Sequence, residues 1–173
     1  MRYFWLLLYY SFGYWLPKST FPFGIGTLSK KIRYNIVKHI FIRTGYNVNI
    51  ESRCYFGKGY IEIGDNSGLG YRNEIFGRVK IGKDVLIASD VIFYTRNHKF
   101  RKKKVLIRDQ GYTEESPITI GNDVWIGRRA MLMPGVEILD GSVIAAASVV
   151  TKNIDTYCVY GGIPAKKIGE RVE

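Results

Sequence analysis

Residues 120–150 read IGNDVWIGRRAMLMPGVEILDGSVIAAASVV, and every sixth position is apolar: Ile120, Ile126, Leu132, Ile138, Ile144 and Val150. Small residues follow several of these heads, at Gly121, Gly127 and Ala145, and the fifth place of each unit is Val124, Ala130, Val136, Ser142 or Ser148. A period of six fits neither an α-helix nor a flat strand. It fits a short strand and a corner, repeated. Three units then close one coil of a triangular prism, with heads stacked inward and small second- and fifth-place residues letting the backbone bend. Each coil covers the apolar face of the next, so no unit is stable by itself.

The same cycle runs upstream through Ile63, Leu69, Ile75, Ile81, Ile87 and Phe93. Before it the repeat is worn. Ile50 and Phe56 are six apart but Ile63 follows after seven, which predicts a bulge or loop at one corner. Between the two intact runs, Phe93 to Ile120 spans 27 residues, six for the Phe93 unit and 21 more. A structureless loop must therefore leave the prism between Asn97 and Pro117 and return in register, and loops of this length in compact folds are commonly functional.

At 173 residues the chain can hold one domain with a sizeable core. Its 26 basic and 15 acidic residues give a net charge of +11, unevenly placed. No acid precedes Glu51, whereas Arg2, Lys18, Lys30, Lys31, Arg33, Lys38 and Arg43 all do; a second cluster comprises Arg96, Lys99, Arg101, Lys102, Lys103, Lys104 and Arg108. Both point to anionic partners such as coenzyme phosphates, lipid head groups or pyrophosphate-linked glycans. The basic residues match no nucleic-acid-binding module, so no nucleic-acid partner is expected. Cys54 and Cys158 belong to no paired motif and read as reduced packing residues of a cytoplasmic protein. Two histidines, His39 and His98, cannot supply a three-histidine zinc site, and no metal is expected.

Residues 1–16, MRYFWLLLYYSFGYWL, are too few and too rich in tyrosine to span a bilayer, which takes about 20 apolar residues, and they lack a small-residue cleavage site. Followed by Pro17 and a basic run, they suit a membrane interface, with peripheral contact through residues 1–43. They equally suit a cap over the open end of the prism, with a helical stretch near Lys30 to Arg43. The organisation expected is an aromatic, basic segment over residues 1–44 and a repeat domain over residues 45–173 carrying loop 97–117.

The repeat, Asn97-His98 at the loop root and PITIGNDVWIG at residues 117–127 together resemble the hexapeptide-repeat acyltransferases, over about Gly45 to Arg171. The resemblance implies a left-handed parallel β-helix assembled as a homotrimer, with acetyl-CoA as acyl donor. It makes His98 the general base, with Asn97 beside it, and places Trp125 against the acetyl and pantetheine end of coenzyme A. The backbone N–H of Gly127 or Arg128 becomes the oxyanion donor. VIAAASVVTK at 143–152 and GGIPAKK at 161–167 carry over as the coenzyme groove, with Ala146, Thr151, Lys152 and Lys166 in it. Here the family's Gly-Ala-Gly-Ser is Ala145-Ala146-Ala147-Ser148, so two positions have gained a methyl group.

Polar residues that hold the acceptor in galactoside and maltose acetyltransferases correspond to places near Gly68 and Phe76, which cannot make those bonds. The chain is more similar to O-acetyltransferases of capsule, O-antigen or exopolysaccharide assembly, with a sugar or lipid-linked glycan as acceptor. N-acetylation of a nucleotide-linked amino sugar, O-acetylation of a drug, and a non-catalytic β-helix binding membranes or glycans remain alternatives.

Overall fold

The computed structural model describes residues 1–172. Two helices, α1 (Arg2–Ser11) and α2 (Ile25–Val37), precede the strands. The first coil holds β1 (Arg43–Thr44) and β2 (Asn49–Ile50), and a Tyr55–Glu74 bridge joins its third side to the next coil. The second holds β3 (Ile61–Ile63), β4 (Gly68–Leu69) and β5 (Glu74–Phe76); the third β6 (Val79–Ile81), β7 (Leu86–Ile87) and β8 (Ile92–Tyr94). Then come β9 (Ile118–Ile120), β10 (Trp125–Ile126) and β11 (Met131–Leu132), and above them β12 (Glu137–Ile138), β13 (Val143–Ile144) and β14 (Val149–Val150). A hairpin of β15 (Cys158–Gly161) and β16 (Lys166–Glu170) follows.

Three sheets result: sheet A of β1-β3-β6-β9-β12, sheet B of β2-β4-β7-β10-β13-β15-β16, and sheet C of β5-β8-β11-β14. Every pairing is parallel except β15 with β16. This is the parallel β-helix expected from the period. Every head of both runs is buried, from Ile63 and Leu69 through Val150.

The corners work differently from the expectation. Positive φ falls on the fourth residue of a unit, at Asn66, Arg72, Asp84, Asp90, Asp123, Arg129, Gly135, Gly141 and Ala147, not on the second or fifth. The second-place glycines answer a different demand. A Cβ on Gly64 would lie 2.6 Å from the Gly82 carbonyl oxygen, and one on Gly70 2.3 Å from that of Ala88. Coil-to-coil approach, not backbone bending, excludes the side chain there. Fifth-place residues are small because they sit inside and pin the next coil: Ser67 Oγ donates to Gly82 O at 2.7 Å, and Asn73 Nδ2 to Ala88 O at 3.0 Å. The extra residue of the worn repeat lies in the corner after Phe56, where Gly57 and Gly59 both have positive φ.

Residues 95–117 leave between β8 and β9 without disturbing the register, since Val79 still pairs with Ile118 and Phe93 with Leu132. The segment is not structureless. It folds back as an arm on a His98–Tyr112 antiparallel bridge, with Lys99 N donating to Gly111 O at 2.9 Å and Thr113 N to Asn97 O at 2.8 Å.

At the other end α1 and α2 close the prism. Tyr9 is fully buried, 4.5 Å from the Phe56 ring, and its hydroxyl donates to Cys54 O at 2.9 Å. Leu6, Ile36, Val37, Ile40 and Phe41 complete the plug, so the cap is built. The helix expected near Lys30 to Arg43 stops at Val37, because Ile40 and Phe41 turn into the core and Ile42 N already donates to Ile61 O at 2.9 Å. Thr44 pairs with Ile63, so the ladder begins at Arg43, two residues ahead of the expected Gly45. Among the described residues no helix is long and apolar enough to cross a membrane. Cys54 and Cys158 are free and buried, and burial pushes the Cys54 thiol up to about 12.

Arg33 ties cap to coil from a fully buried position. Its Nε donates to Ile50 O at 2.5 Å and its Nη1 to Leu16 O and Pro17 O at 3.1 and 2.8 Å, while Nη2 lies 3.6 Å from Glu51 Oε2. Burial alone would raise the Glu51 pKa, but hydrogen bonds from Ser19 and Asn49 and the Arg33 charge hold it below its ordinary value. A carboxyl depressed in the folded state stabilises fully above its unfolded pKa, about 4.3, and that contribution is lost as pH falls through the folded value. The thermal midpoint should therefore fall more steeply below about pH 4 in the native chain than in Glu51→Gln. Identical acid profiles by circular dichroism would remove the pair from acid stability.

Candidate active site

The predicted site residues are spread over different parts of the prism. Between sheets C and A the arm departs, placing exposed Asn97 and His98 at its root. The His98 ring lies 4.1 Å from that of Tyr112 at 36°, and Arg96 covers the same Tyr112 ring at 4.5 Å. These contacts define where the imidazole sits while leaving it open to solvent.

His98 borders a cavity of about 630 Å³ that also takes in Tyr55, Tyr60, Phe76, Tyr94 and Glu115. Phe76 and Tyr94 occupy the same place on successive coils, so their rings stack at 5.6 Å and 8°. Beneath them, buried Thr95 donates to Phe76 O at 2.5 Å, and Ser116 N returns to Thr95 O at 2.7 Å. Glu115 Oε1 accepts from Arg78 N at 2.6 Å. Gly77 adjoins both with φ of 125°, and a Cβ there would lie 2.0 Å from Thr95 Oγ1. The arm root is thus anchored by residues of the two coils beside it. An imidazole and a carboxylate against an aromatic wall suit a ligand with hydroxyl groups and an apolar face.

The remaining predicted residues lie elsewhere on the prism. Trp125 points outward from sheet B, 55% exposed, beside a second concavity of about 390 Å³ with Leu86, Gly68, Asn49 and Lys30. Arg128 and Ala146 occupy the edge between sheets B and C. Arg128 Nε donates to Asp90 Oδ2 at 2.9 Å, and Arg72 Nε donates to Asp90 Oδ1 at 2.7 Å. Burial works to raise the Asp90 pKa, but these two guanidinium groups hold it below its ordinary value. Thr151 and Lys152 are exposed after β14, and Lys166 is exposed on β16 opposite Gly161.

One expected role fails on geometry. The Gly127 N–H already donates to Ile144 O at 2.8 Å, so it is no free oxyanion donor. Its lack of a side chain has another cause, since a Cβ would lie 2.5 Å from Ala146 N. Of the two alanines that replace glycines, Ala147 holds φ of 58°, a conformation that favours glycine. Its N–H donates to Arg128 O at 2.8 Å. His39 stacks on Trp5 at 4.3 Å and 16°.

A single chain therefore brings Asn97 and His98 together with Tyr112 and Glu115, but not with Trp125, Arg128 or Ala146. The sequence reading missed Tyr112, Glu115 and the aromatic wall. Phe76 and Tyr94 carry a usable signal, 18 residues apart and hence one coil apart; Tyr112 and Glu115 belong to the arm and carry none.

A family profile described as "Bacterial transferase hexapeptide (six repeats)" matches residues 117–152. The galactoside O-acetyltransferase of Escherichia coli (strain K12) is 38% identical over 141 residues, covering 80% of this chain and 68% of that protein. A galactoside acetyltransferase solved in complex with coenzyme A superimposes with a TM-score of 0.80 at 33% identity, over 98% of this chain and 80% of that one. A maltose O-acetyltransferase from Clostridium difficile 630 gives 0.79 at 28% identity, over 99% and 87%. The chain belongs to the hexapeptide-repeat acyltransferase family, with sugar O-acetyltransferases among its relatives.

Proposed function

We propose that the chain transfers an acetyl group from acetyl-CoA directly to a sugar hydroxyl, with His98 as general base. The observation that carries this is the exposed imidazole at the arm root, facing an aromatic cavity, with the segment the family profile matches beginning at Pro117 where the arm ends. The imidazole takes the hydroxyl proton as the oxygen attacks the thioester carbonyl. Collapse of the tetrahedral intermediate breaks the C–S bond, and the proton passes from the imidazolium to the departing thiolate. With Gly127 N–H engaged, the Arg128 N–H is the oxyanion donor this reading retains. Coenzyme A, held by Trp125, Ala146, Thr151, Lys152 and Lys166, reaches His98 only across a boundary between copies, which is the reason to propose a homotrimer.

The acceptor we propose is a lipid-linked glycan of surface-polysaccharide assembly at the cytoplasmic face of the membrane. Three features support this: the aromatic wall, the basic charge, and the outer faces of α1 and α2. Phe4, Leu7, Phe12 and Trp15 are exposed on the cap, as are Phe21, Phe23 and Leu28 before and within α2. The cap's structural duty rules out simple deletion of residues 1–16 as a test, because it would remove buried Tyr9 from Phe56.

His98→Ala should lower turnover by about 10² to 10⁴ with the KM for acetyl-CoA little changed. Thiol release in a folded variant at the native rate would exclude His98 as the base. For the assembly, co-refolded mixtures of His98→Ala and Trp125→Ala chains should regain activity that neither has alone, since some junctions then pair an intact His98 with an intact Trp125. An active monomer by light scattering would refute the shared site. Phe4→Ser/Leu7→Ser should reduce co-flotation with vesicles and leave acetylation of a soluble sugar in place. Equal flotation of variant and native protein would leave α1 as a cap alone.

A further inference from the structure

The arm between β8 and β9 is built more carefully than its role at His98 requires. Gln110 organises its far end: Nε2 donates to Lys102 O at 3.0 Å and to Val105 O at 2.8 Å, and Oε1 accepts from Lys102 N at 3.1 Å. These bonds close the turn over 102–105 and lead into a short 3₁₀ turn at Ile107–Asp109. The tip has a set shape.

That shape displays what a soluble surface ordinarily hides. Phe100 is 67% exposed, Leu106 60% and Ile107 58%, with Val105 beside them, and every residue from Arg96 to Asp109 is exposed. The stretch from Lys99 to Asp109 carries Lys99, Arg101, Lys102, Lys103, Lys104 and Arg108, against the single acid Asp109, which Arg108 approaches at 3.7 Å. Apolar side chains set among cations match an anionic bilayer surface, where the cations meet head groups and the apolar groups enter the interface. A second copy of this chain is the poorer partner, because its own net charge is +11.

The arm root and the start of α1 flank one cavity. Arg2 donates through Nη2 to Lys58 O and covers the Tyr60 ring at 4.8 Å, and Lys58 and Tyr60 line the cavity that His98 borders. We infer that the tip of the arm, Phe100 and Val105–Ile107 with the lysines between, is a second membrane-docking element, independent of the helical cap, that binds anionic lipid. This holds whether or not the chain acetylates a sugar, and its test needs no turnover.

The test is flotation of the full-length protein with vesicles of phosphatidylcholine alone and with phosphatidylglycerol added, at low and high salt. Phe100→Ser/Leu106→Ser/Ile107→Ser and, separately, Lys102→Gln/Lys103→Gln/Lys104→Gln should each lower the fraction bound to anionic vesicles about tenfold, the second only at low salt. Both should keep acetyl-CoA consumption with a soluble acceptor within about twofold of native. A Leu106→Cys chain labelled with a polarity-sensitive dye should brighten on anionic vesicles and not on phosphatidylcholine. Native protein that does not float, or a dye that stays dark on bound protein, overturns the inference. So does loss of oligomeric state by light scattering in either arm variant, which would make the tip a contact between copies.

Discussion

Everything in this molecule depends on one distance, the strand spacing of about 4.8 Å at which each coil must lie on the one before. In the early coils the ladder partners are 18 residues apart, as with Glu62 and Lys80, Gly68 and Leu86, or Glu74 and Ile92. Across the arm they are 39 apart, as with Lys80 and Thr119, Leu86 and Trp125, or Ile92 and Met131. The same shift on all three faces shows that the arm adds 21 residues and changes nothing else. Side chains inherit the arithmetic. Asn66 donates to Asp84, Arg72 to Asp90, and Phe76 stacks on Tyr94, each pair a coil apart.

The heads were legible because burial repeats with the period and admits only bulky apolar residues. The corners were misread for a physical reason. Left-handed conformation favours glycine, asparagine and aspartate, and Asn66, Asp84, Asp90, Asp123, Gly135 and Gly141 carry that signal at the fourth place. Arg72, Arg129 and Ala147 interrupt it, while the glycines that catch the eye stand at the second place, where the next coil's backbone leaves no room for a side chain. One residue type thus answers two constraints, conformational freedom and close approach, and composition alone does not separate them.

The site divides along the same line. The position of His98 at the root of the arm was legible through the register jump. The Gly127 N–H was misassigned because a motif does not reveal that the ladder already uses its proton. Tyr112 and Glu115 escaped notice because the arm has no period; what places them is the fold-back at the His98–Tyr112 bridge and the bond from Arg78 N to Glu115. Contacts inside the solenoid follow from counting residues, and contacts of the arm do not.

At the N-terminus the sequence suits a cap and a membrane contact, which can hold together, and α1 builds the cap. Positions three or four apart share a face of α1. Leu6 and Tyr9 lie three apart and go inward, onto Phe56 and the plug; Phe4 and Leu7 lie three apart and go outward, where they are exposed among the described residues. Trp5 lies between, occupied by His39. A helix needed only as a plug would carry polar residues on its outer face. The apolar outer face of α1 is therefore unexplained by packing within the chain, and an exposed apolar patch of that kind marks a site of contact.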